Sequence, residues 1–449
     1  MLCCELSHES AEIARAPHER DVMTSIATER EHDAIDLSQA ALWAGPSEER
    51  DQMFAQLRRD RPVSWQRPIR SPMMDAMGQQ GPPGYWAITR LDDIVTVSRN
   101  AEVFSSSHGG VTLEEMPPEV LEVASSILTM DEPLHGKVRR VVSSVFTPRR
   151  ISRIRDQIYN QARQIVDDIA HSKGDVDVVN AVSARLPMWT VSEMIGIPDE
   201  QREEVTAAAA LLTAWDDEST SATDALTTMF TGITTLHTRC QELIDARRSD
   251  PKDDLISALV QAQVDGVRLS DDDIRAFFVL LCVAGNDTTK QTTTHTIRSL
   301  TSYPEQRAYL MDDIDGRIDV AVEEFIRHAT PVMTFRRTAV KPFELSGRKI
   351  EPGDKVVLFY NSGNRDEDHF ENAHAFDLSR KPNPHVGFGG RGPHFCLGSH
   401  VAKLQLSAMF TELLRRLPDI EAVGEPSYLT STFINGIKSQ HVRFAPASD

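Results

Sequence analysis

A single cysteine, Cys396, lies in the run Gly387-Phe388-Gly389-Gly390-Arg391-Gly392-Pro393-His394-Phe395-Cys396-Leu397-Gly398. Glycines let a backbone turn tightly and come close to a bulky planar partner. A loop turned around one thiol can aim amide groups at the sulfur and so moderate the charge of a metal-ligating thiolate. The plain alternative is a glycine-rich turn around a buried structural cysteine. A second group, Ala284-Gly285-Asn286-Asp287-Thr288-Thr289, sits inside a helical pattern. Gly285 costs a helix about 1 kcal/mol against alanine, and it leaves room for something to approach the backbone. An acid beside a hydroxyl at that opening, Asp287 with Thr288, suits proton delivery, commonly worth roughly 10²–10⁴ in rate. The competing reading, a polar helix face whose threonines bond back to carbonyls, fits Thr292, Thr293 and Thr294. In a third group, Glu324-Phe325-Ile326-Arg327, acid and base stand three apart on one helical face and can pair. Alone, such a pair is usually a surface salt bridge worth under about 1 kcal/mol.

The elements that must position these groups are legible in outline. Pro62-Val63-Ser64-Trp65 and Tyr85-Trp86-Ala87-Ile88-Thr89 read as short strands around a Pro/Gly-rich turn. From about Leu91 to Pro331, apolar residues recur at three- and four-residue spacing, the pattern of helices. Ser270 with Asp273 resembles a capping box, opening a long helix through Leu300 that carries Asp287 and Thr288. Beyond Arg327 strand-like segments appear at Thr334–Val340 and Lys355–Tyr360, and a last helix starts just past Cys396 and runs to about Leu417. The expectation is a mainly α single large domain with a small β-rich edge over residues 45–449, preceded by a polar, loosely ordered extension over 1–44.

The chain has 449 residues, 48 basic against 67 acidic, for a net charge of −19, which argues against wholesale nucleic-acid binding. Hydrophobic content of 40% with 26% charged residues is that of a globular protein. No apolar run is long enough to span a bilayer, and Met1 to Met23 lacks the apolar stretch of a secretory signal, so no membrane anchor is expected. Whether translation begins at Met1 or Met23 stays open. Cys3, Cys4, Cys240, Cys282 and Cys396 form neither a zinc spacing nor a disulfide framework, which fits a reducing cytoplasm.

Taken in order, the three groups resemble the cytochrome P-450 (haem-thiolate monooxygenase) family, and the resemblance covers the chain from about Trp65 to Phe444. It implies that fold, with haem b held by Cys396 as axial iron ligand. It implies proton delivery through Asp287 and Thr288, and a buried structural network of Glu324, Arg327 and Arg380. His135, Arg139, Arg337, His394 and Gly398 fall at the family's cofactor-binding positions, the cationic ones serving the propionates. Val111 to Leu113, Val283, Ala284, Val332, Met333, Phe433 and Ile434 fall at pocket-facing ones. Such an enzyme uses O₂ and two electrons to hydroxylate or epoxidise a hydrophobic small molecule, of sterol, fatty acid, terpenoid or polyketide class. No flavin or GxGxxG segment is present, so electrons come from partners, a ferredoxin and its reductase. A basic patch of Arg140, Arg149, Arg150 and Arg391, with Arg139, Arg153 and Lys381 nearby, is expected to receive the ferredoxin. The alternatives are a haem-thiolate catalyst of coupling or rearrangement, and a haem-based sensor. Within the family, Asn383 to Gly390 and Asn435 to Lys438 look similar to actinobacterial hydroxylases of sterol side chains and branched lipids. Gly389 stands where most members have phenylalanine, with Phe388 shifted by one, and Asp287 stands where that lipid-hydroxylating group has glutamate.

Overall fold

The computed structural model describes residues 30–69, 82–115, 126–143, 146, 148–172, 174–212 and 222–445. Strands β1 (Val63–Gln66), β2 (Tyr85–Ile88) and β3 (Phe104–Ser105) come early, and β4 (Asp175–Asp177) follows in the middle of the chain. Late in the chain come β5 (Thr334–Ala339), β6 (Lys355–Phe359), β7 (Glu421–Tyr428) and β8 (Ile437–Arg443). The main sheet runs β1-β2-β6-β5-β3, with β2 and β6 parallel (Trp86 opposite Val356) and the other pairs antiparallel. A second antiparallel sheet runs β7-β8-β4.

Both faces of the main sheet are covered, and the two-residue period of its strands shows it. Tyr85, Ala87, Val357 and Phe359 pack with Leu37, Trp43, Phe54 and Leu57, while Trp86, Ile88, Val356 and Leu358 pack with Leu91, Ile94 and Val97. Loose order was expected over residues 1–44. Residues 30–44 instead pack on this sheet: Leu37 and Trp43 are buried, Arg30 pairs with Asp354 at 2.6 Å, and the Trp43 indole donates to Leu37 O. Residues 1–29 lie outside the described residues.

The helices that concern the site are α1 (Glu48–Asp60), α2 (Leu91–Arg99), α3 (Leu134–Ser143), α4 (Pro148–Ala170) and α5 (Arg185–Ile195), then α6 (Asp271–Ser302), α7 (Ile314–Ala329) and α8 (Ser399–Arg416). The capping box opening α6 is formed, Asp273 N donating to Ser270 Oγ and Ser270 N to Asp273 Oδ2, each at 3.1 Å. Its N-terminal half, with Phe277, Phe278 and Cys282, is cored against α5 and α3. Its far end, with Ile297 and Leu300, joins the core shared by α4, α7 and α8. Between them Val283, half-buried, and Ala284, exposed, belong to neither core, so the longest helix crosses the molecule with one face of its middle turns left to line a site. Among the described residues no helix is long and apolar enough to cross a membrane.

Candidate haem-thiolate site

The loop before α8 folds back on itself: Cys396 N donates to Phe388 O at 2.9 Å, and Gly389 N to Val386 O at 2.9 Å. Its glycines answer to a neighbouring helix as much as to a ligand. A Cβ on Gly392 would lie 1.8 Å from Ser98 O, and one on Gly390 2.1 Å from Ser98 Oγ, so the loop rests directly on the end of α2. Gly398 is the N-cap of α8, which places Cys396 at a helix N-terminus, where partial positive charge favours an anion. The thiol is accessible yet walled by protein. Burial raises its pKa, opposed by the backbone amides of Gly398 and Ser399 and by Arg139. Cys240 and Cys282 are buried, with thiol pKa values pushed up by desolvation, to about 12 at Cys240. Cys396 is therefore the thiol among these three that is placed to act as a ligand.

Four of the residues expected around a cofactor converge. The His135 and His394 rings lie 4.1 Å apart, and Arg139 donates to Phe395 O, beside the cysteine. His394 is pushed down to about 3 by burial, then by Arg337 and His135, with Arg139 adding to the effect. Arg337 is buried and desolvated, its pKa lowered, with only partial relief from Tyr360 and Asp131. The buried Nε2 of His135 has no hydrogen-bond partner among the described residues. Asp131 and the serines at 105–107 were not expected in this region. Asp131 accepts from Ser106 N and Ser107 Oγ at 2.7 Å each, and Ser106 Oγ in turn lies 3.2 Å from His394 Nε2. Although burial works to raise the Asp131 pKa, the bonds from Ser105, Ser106 and Ser107 hold it below the ordinary value. The serine run 105–107 was the available signal, but nothing in it names Asp131 as its partner.

On α6, Ala284 is exposed and Val283 and Thr288 are half-buried, while Cys282, Asn286, Asp287 and Thr289 are buried. The opening expected at Gly285 is filled from behind: a Cβ there would lie 2.5 Å from Val191 Cγ2 of α5. Glycine is needed for that helix crossing. Thr288 Oγ1 donates to Ala284 O at 3.0 Å, so back-bonding reaches this threonine as well as Thr292, Thr293 and Thr294. Its oxygen keeps its acceptor capacity toward the open side. Asp287 does not stand free, because Lys290 pairs with it one turn on.

Glu324 and Arg327 are both fully buried and joined by two 2.7 Å bonds. Arg327 also donates to Asn364 O, Ala373 O and Ala375 O, and Glu324 accepts from Asp377 N and Asn383 Nδ2. Arg380 Nε lies 3.3 Å from Glu324 Oε2, in ion-pair range but off hydrogen-bond geometry, while its Nη1 donates to Glu371 O. The carboxylate and guanidinium are satisfied on every side, as a buried pair must be.

Of the apolar candidates, Val332 bridges to Ile434 and Met333 N donates to Phe433 O, zipping the two segments into one wall, with Phe335 and Phe433 rings 5.5 Å apart. Val111 is buried and its carbonyl accepts from Arg336 N. Leu113 and Met333 do not line an opening: both are buried in the core with Trp43, Phe54 and Tyr85. Pocket-facing and core positions share the same apolar types, which is why sequence could not separate them. Arg140, Lys381 and Arg391 are exposed; the side chains of Arg149, Arg150 and Arg153 lie outside the described residues.

An accessible thiol at a helix N-terminus, on a mainly helical body, is the arrangement of a haem-thiolate protein, and comparison with known proteins agrees. A family model described as Cytochrome P450 matches residues 222–418. A methyl-branched lipid omega-hydroxylase of Mycobacterium tuberculosis is 39% identical over 413 residues, 92% of this chain and 95% of that one. A steroid C26-monooxygenase of Rhodococcus jostii is 36% identical over 401 residues, 88% of this chain and 82% of that one. A Mycobacterium marinum cytochrome P450 solved in complex with pseudoionone superposes with TM-score 0.89 at 50% identity, covering 93% of this chain and all of that one. The chain belongs to the cytochrome P450 family. It is a monooxygenase of that family.

The family's haem-thiolate cofactor fits these residues. Cys396 offers an accessible sulfur with amides and a cation to moderate its charge. The orphaned Nε2 of His135 and the desolvated Arg337 call for anionic, hydrogen-bond-accepting partners, which propionates are.

Proposed function

We propose that this protein binds haem b through Cys396 and hydroxylates an extended, methyl-branched lipid or sterol-like substrate at a terminal methyl carbon. Its electrons come from a separate ferredoxin and reductase in the cytoplasm. The observation that carries the reading is the accessible thiol of Cys396 beside the His135, Arg139, Arg337 and His394 group, on a fold whose longest helix leaves Val283, Ala284 and Thr288 outside both cores. When bound, the haem supplies dioxygen activation and the oxidation itself. The chain's part is ligation, orientation, exclusion of water and proton control. Cys396 is the iron ligand. Val283, Val332, Phe433 and Ile434 hold an apolar chain and keep water away from it. Thr288 Oγ1 passes protons inward, and Asp287, once Lys290 releases it, renews them from outside.

The choice of a terminal methyl is supported by the relatives, one named for omega-hydroxylation of methyl-branched lipids and another for C26 of steroids. The apolar wall of residues 332–335 and 433–434 is compatible with such a chain. Exposed Arg140 and Arg391 support docking of an acidic ferredoxin near the Cys396 loop, through attraction that weakens as salt screens it. The test is a spectral-shift titration of the haem-loaded protein with methyl-branched fatty acids, straight-chain fatty acids, steroids and acyclic terpenoid ketones, followed by product analysis. Tight binding and terminal hydroxylation of branched chains are expected. In-chain epoxidation, or turnover of the terpenoid ketones alone, would overturn the substrate and regiochemistry. Loss of the reduced carbon-monoxide band in Cys396→Ser checks the ligand separately.

A further inference from the structure

A second cavity, of about 650 Å³, opens where α1, the C-terminal turns of α6, the end of α7 and the segment 360–365 meet. Nothing in the proposed oxidation uses it. Three guanidinium groups, Arg50, Arg298 and Arg365, line it against two acids, Glu48 and Asp51, of which Glu48 is exposed. The interior is polar and unsatisfied. Asn361 is only 7% exposed, yet neither its Oδ1 nor its Nδ2 has a partner among the described residues, and the same holds for the Nε of Arg50 and of Arg365.

The hydrogen bonds of these arginines go to neutral acceptors, and the acid that offsets both Arg50 and Arg365 from within the lining is Asp51, one carboxylate against two guanidinium groups. Arg365 donates to the carbonyls of Arg327 and His328, Arg50 to that of Leu42, and Arg298 to the side-chain oxygen of Gln440. Burial lowers the pKa of Arg50 and brings Arg365 down to about 10. The imidazole of His295, in the same wall, is pushed down to about 4 by burial and then by Arg298, Arg50 and Arg365 together. Three cations thus share one field, beside an amide with both donor and acceptor idle.

A desolvated cation that is only partly offset by a counter-charge is costly, and an anion that pairs with it recovers part of that cost. Guanidinium and amide N–H groups match carboxylate and phosphate oxygens in geometry. The volume falls in the roughly 300–1,000 Å³ range of small-molecule pockets and exceeds what a bare ion fills. We propose that this cavity binds an organic anion, a carboxylate or phosphate ester, between Arg50, Arg298, Arg365 and Asn361. The site is independent of Cys396 and of the substrate reading.

The test is calorimetric titration of the haem-loaded enzyme, in chloride buffer, with citrate, glycerol 3-phosphate and inorganic phosphate. Saturable one-to-one binding of citrate or glycerol 3-phosphate is expected. It should weaken at least tenfold in Arg298→Gln, at a half-buried position, and likewise in Asn361→Leu. Lys349→Gln, at an exposed lysine paired with Glu351, should leave it unchanged, and the carbon-monoxide band confirms that each variant is intact. The absence of saturable binding by any of the three anions overturns the proposal. So does equal affinity in wild type, Arg298→Gln and Asn361→Leu. Saturation by inorganic phosphate but by neither organic anion overturns the ligand class.

Discussion

Lys290 is salt-bridged to Asp287 across one turn of α6, and the carboxylate so held is almost wholly buried. If Asp287 serves the proposed relay, a carboxylate locked to an ammonium group must be released before it carries a proton, and the pair would then act as a latch on proton supply. Asp287→Asn should slow turnover about 10²-fold, leave the substrate-binding spectrum unchanged and raise the solvent isotope effect. Unchanged turnover would exclude Asp287 from the relay. Lys290→Gln leaves a buried carboxylate without its cation and should cost about 1–3 kcal/mol in denaturant unfolding.

Thr288→Ala removes the hydroxyl that bonds to Ala284 O at a half-buried position and leaves the hydrophobic clusters untouched. Reducing equivalents should still be consumed, but be diverted into hydrogen peroxide instead of product. The ratio of product formed to electrons used measures this directly, and an unchanged ratio would sink the role.

At Gly285 two effects compete. Alanine gains about 1 kcal/mol of helix propensity, but its Cβ would sit 2.5 Å from Val191 Cγ2. Val191 is β-branched, stiff at χ1 and buried, so the contact gives little, and overpacking costs about 1–3 kcal/mol. Gly285→Ala should therefore destabilise the protein in a single background and stabilise it in Val191→Ala. A double-mutant cycle in urea reads the coupling, and additive effects would mean that the crossing tolerates a side chain.

Glu324→Ala strips Arg327 and Arg380 of their buried counter-charge. Breaking such a pair costs about 3–5 kcal/mol, a large part of a domain's stability, so the variant should be recovered mostly haem-free or aggregated. Haem-loaded protein of normal yield with slower turnover would contradict the structural role.

His295, pushed down to about 4 when folded, returns to about 6.5 when unfolded. Between those values the unfolded chain binds the extra proton, so stability falls as pH drops through this window. At about 1.4 kcal/mol per pH step the loss approaches roughly 3 kcal/mol. His295→Gln should flatten the slope between pH 6.5 and 4 relative to wild type, and identical slopes would show that the ring is solvated.

The motifs legible in the chain were those whose physics is local. The capping box at Ser270 and Asp273, the turn around Cys396 and the one-turn spacing of Glu324 and Arg327 all concern neighbours within a few residues. What sequence alone could not supply is contact between distant segments. The reason for Gly285 is Val191, on another helix, and the reason for Gly392 is Ser98. His394 meets Arg337 and His135 only because β5, α3 and the cysteine loop converge, and family resemblance rather than spacing pointed to them. Residues 30–44 read as loose because their apolar residues follow no sustained period, and the burial of Leu37 and Trp43 depends on the sheet beneath them.

The seat of the cysteine loop on α2 bears on how this ligand could be moved or evolved. With Gly390 and Gly392 pressed onto Ser98, the curve that presents the sulfur is a cast taken from the end of another helix. Grafting Gly387–Gly398 onto a foreign scaffold would carry the thiol but not the mould. Conversely, a substitution at Ser98, far from Cys396 in sequence, is an address from which the setting of that sulfur could be altered without touching the loop itself.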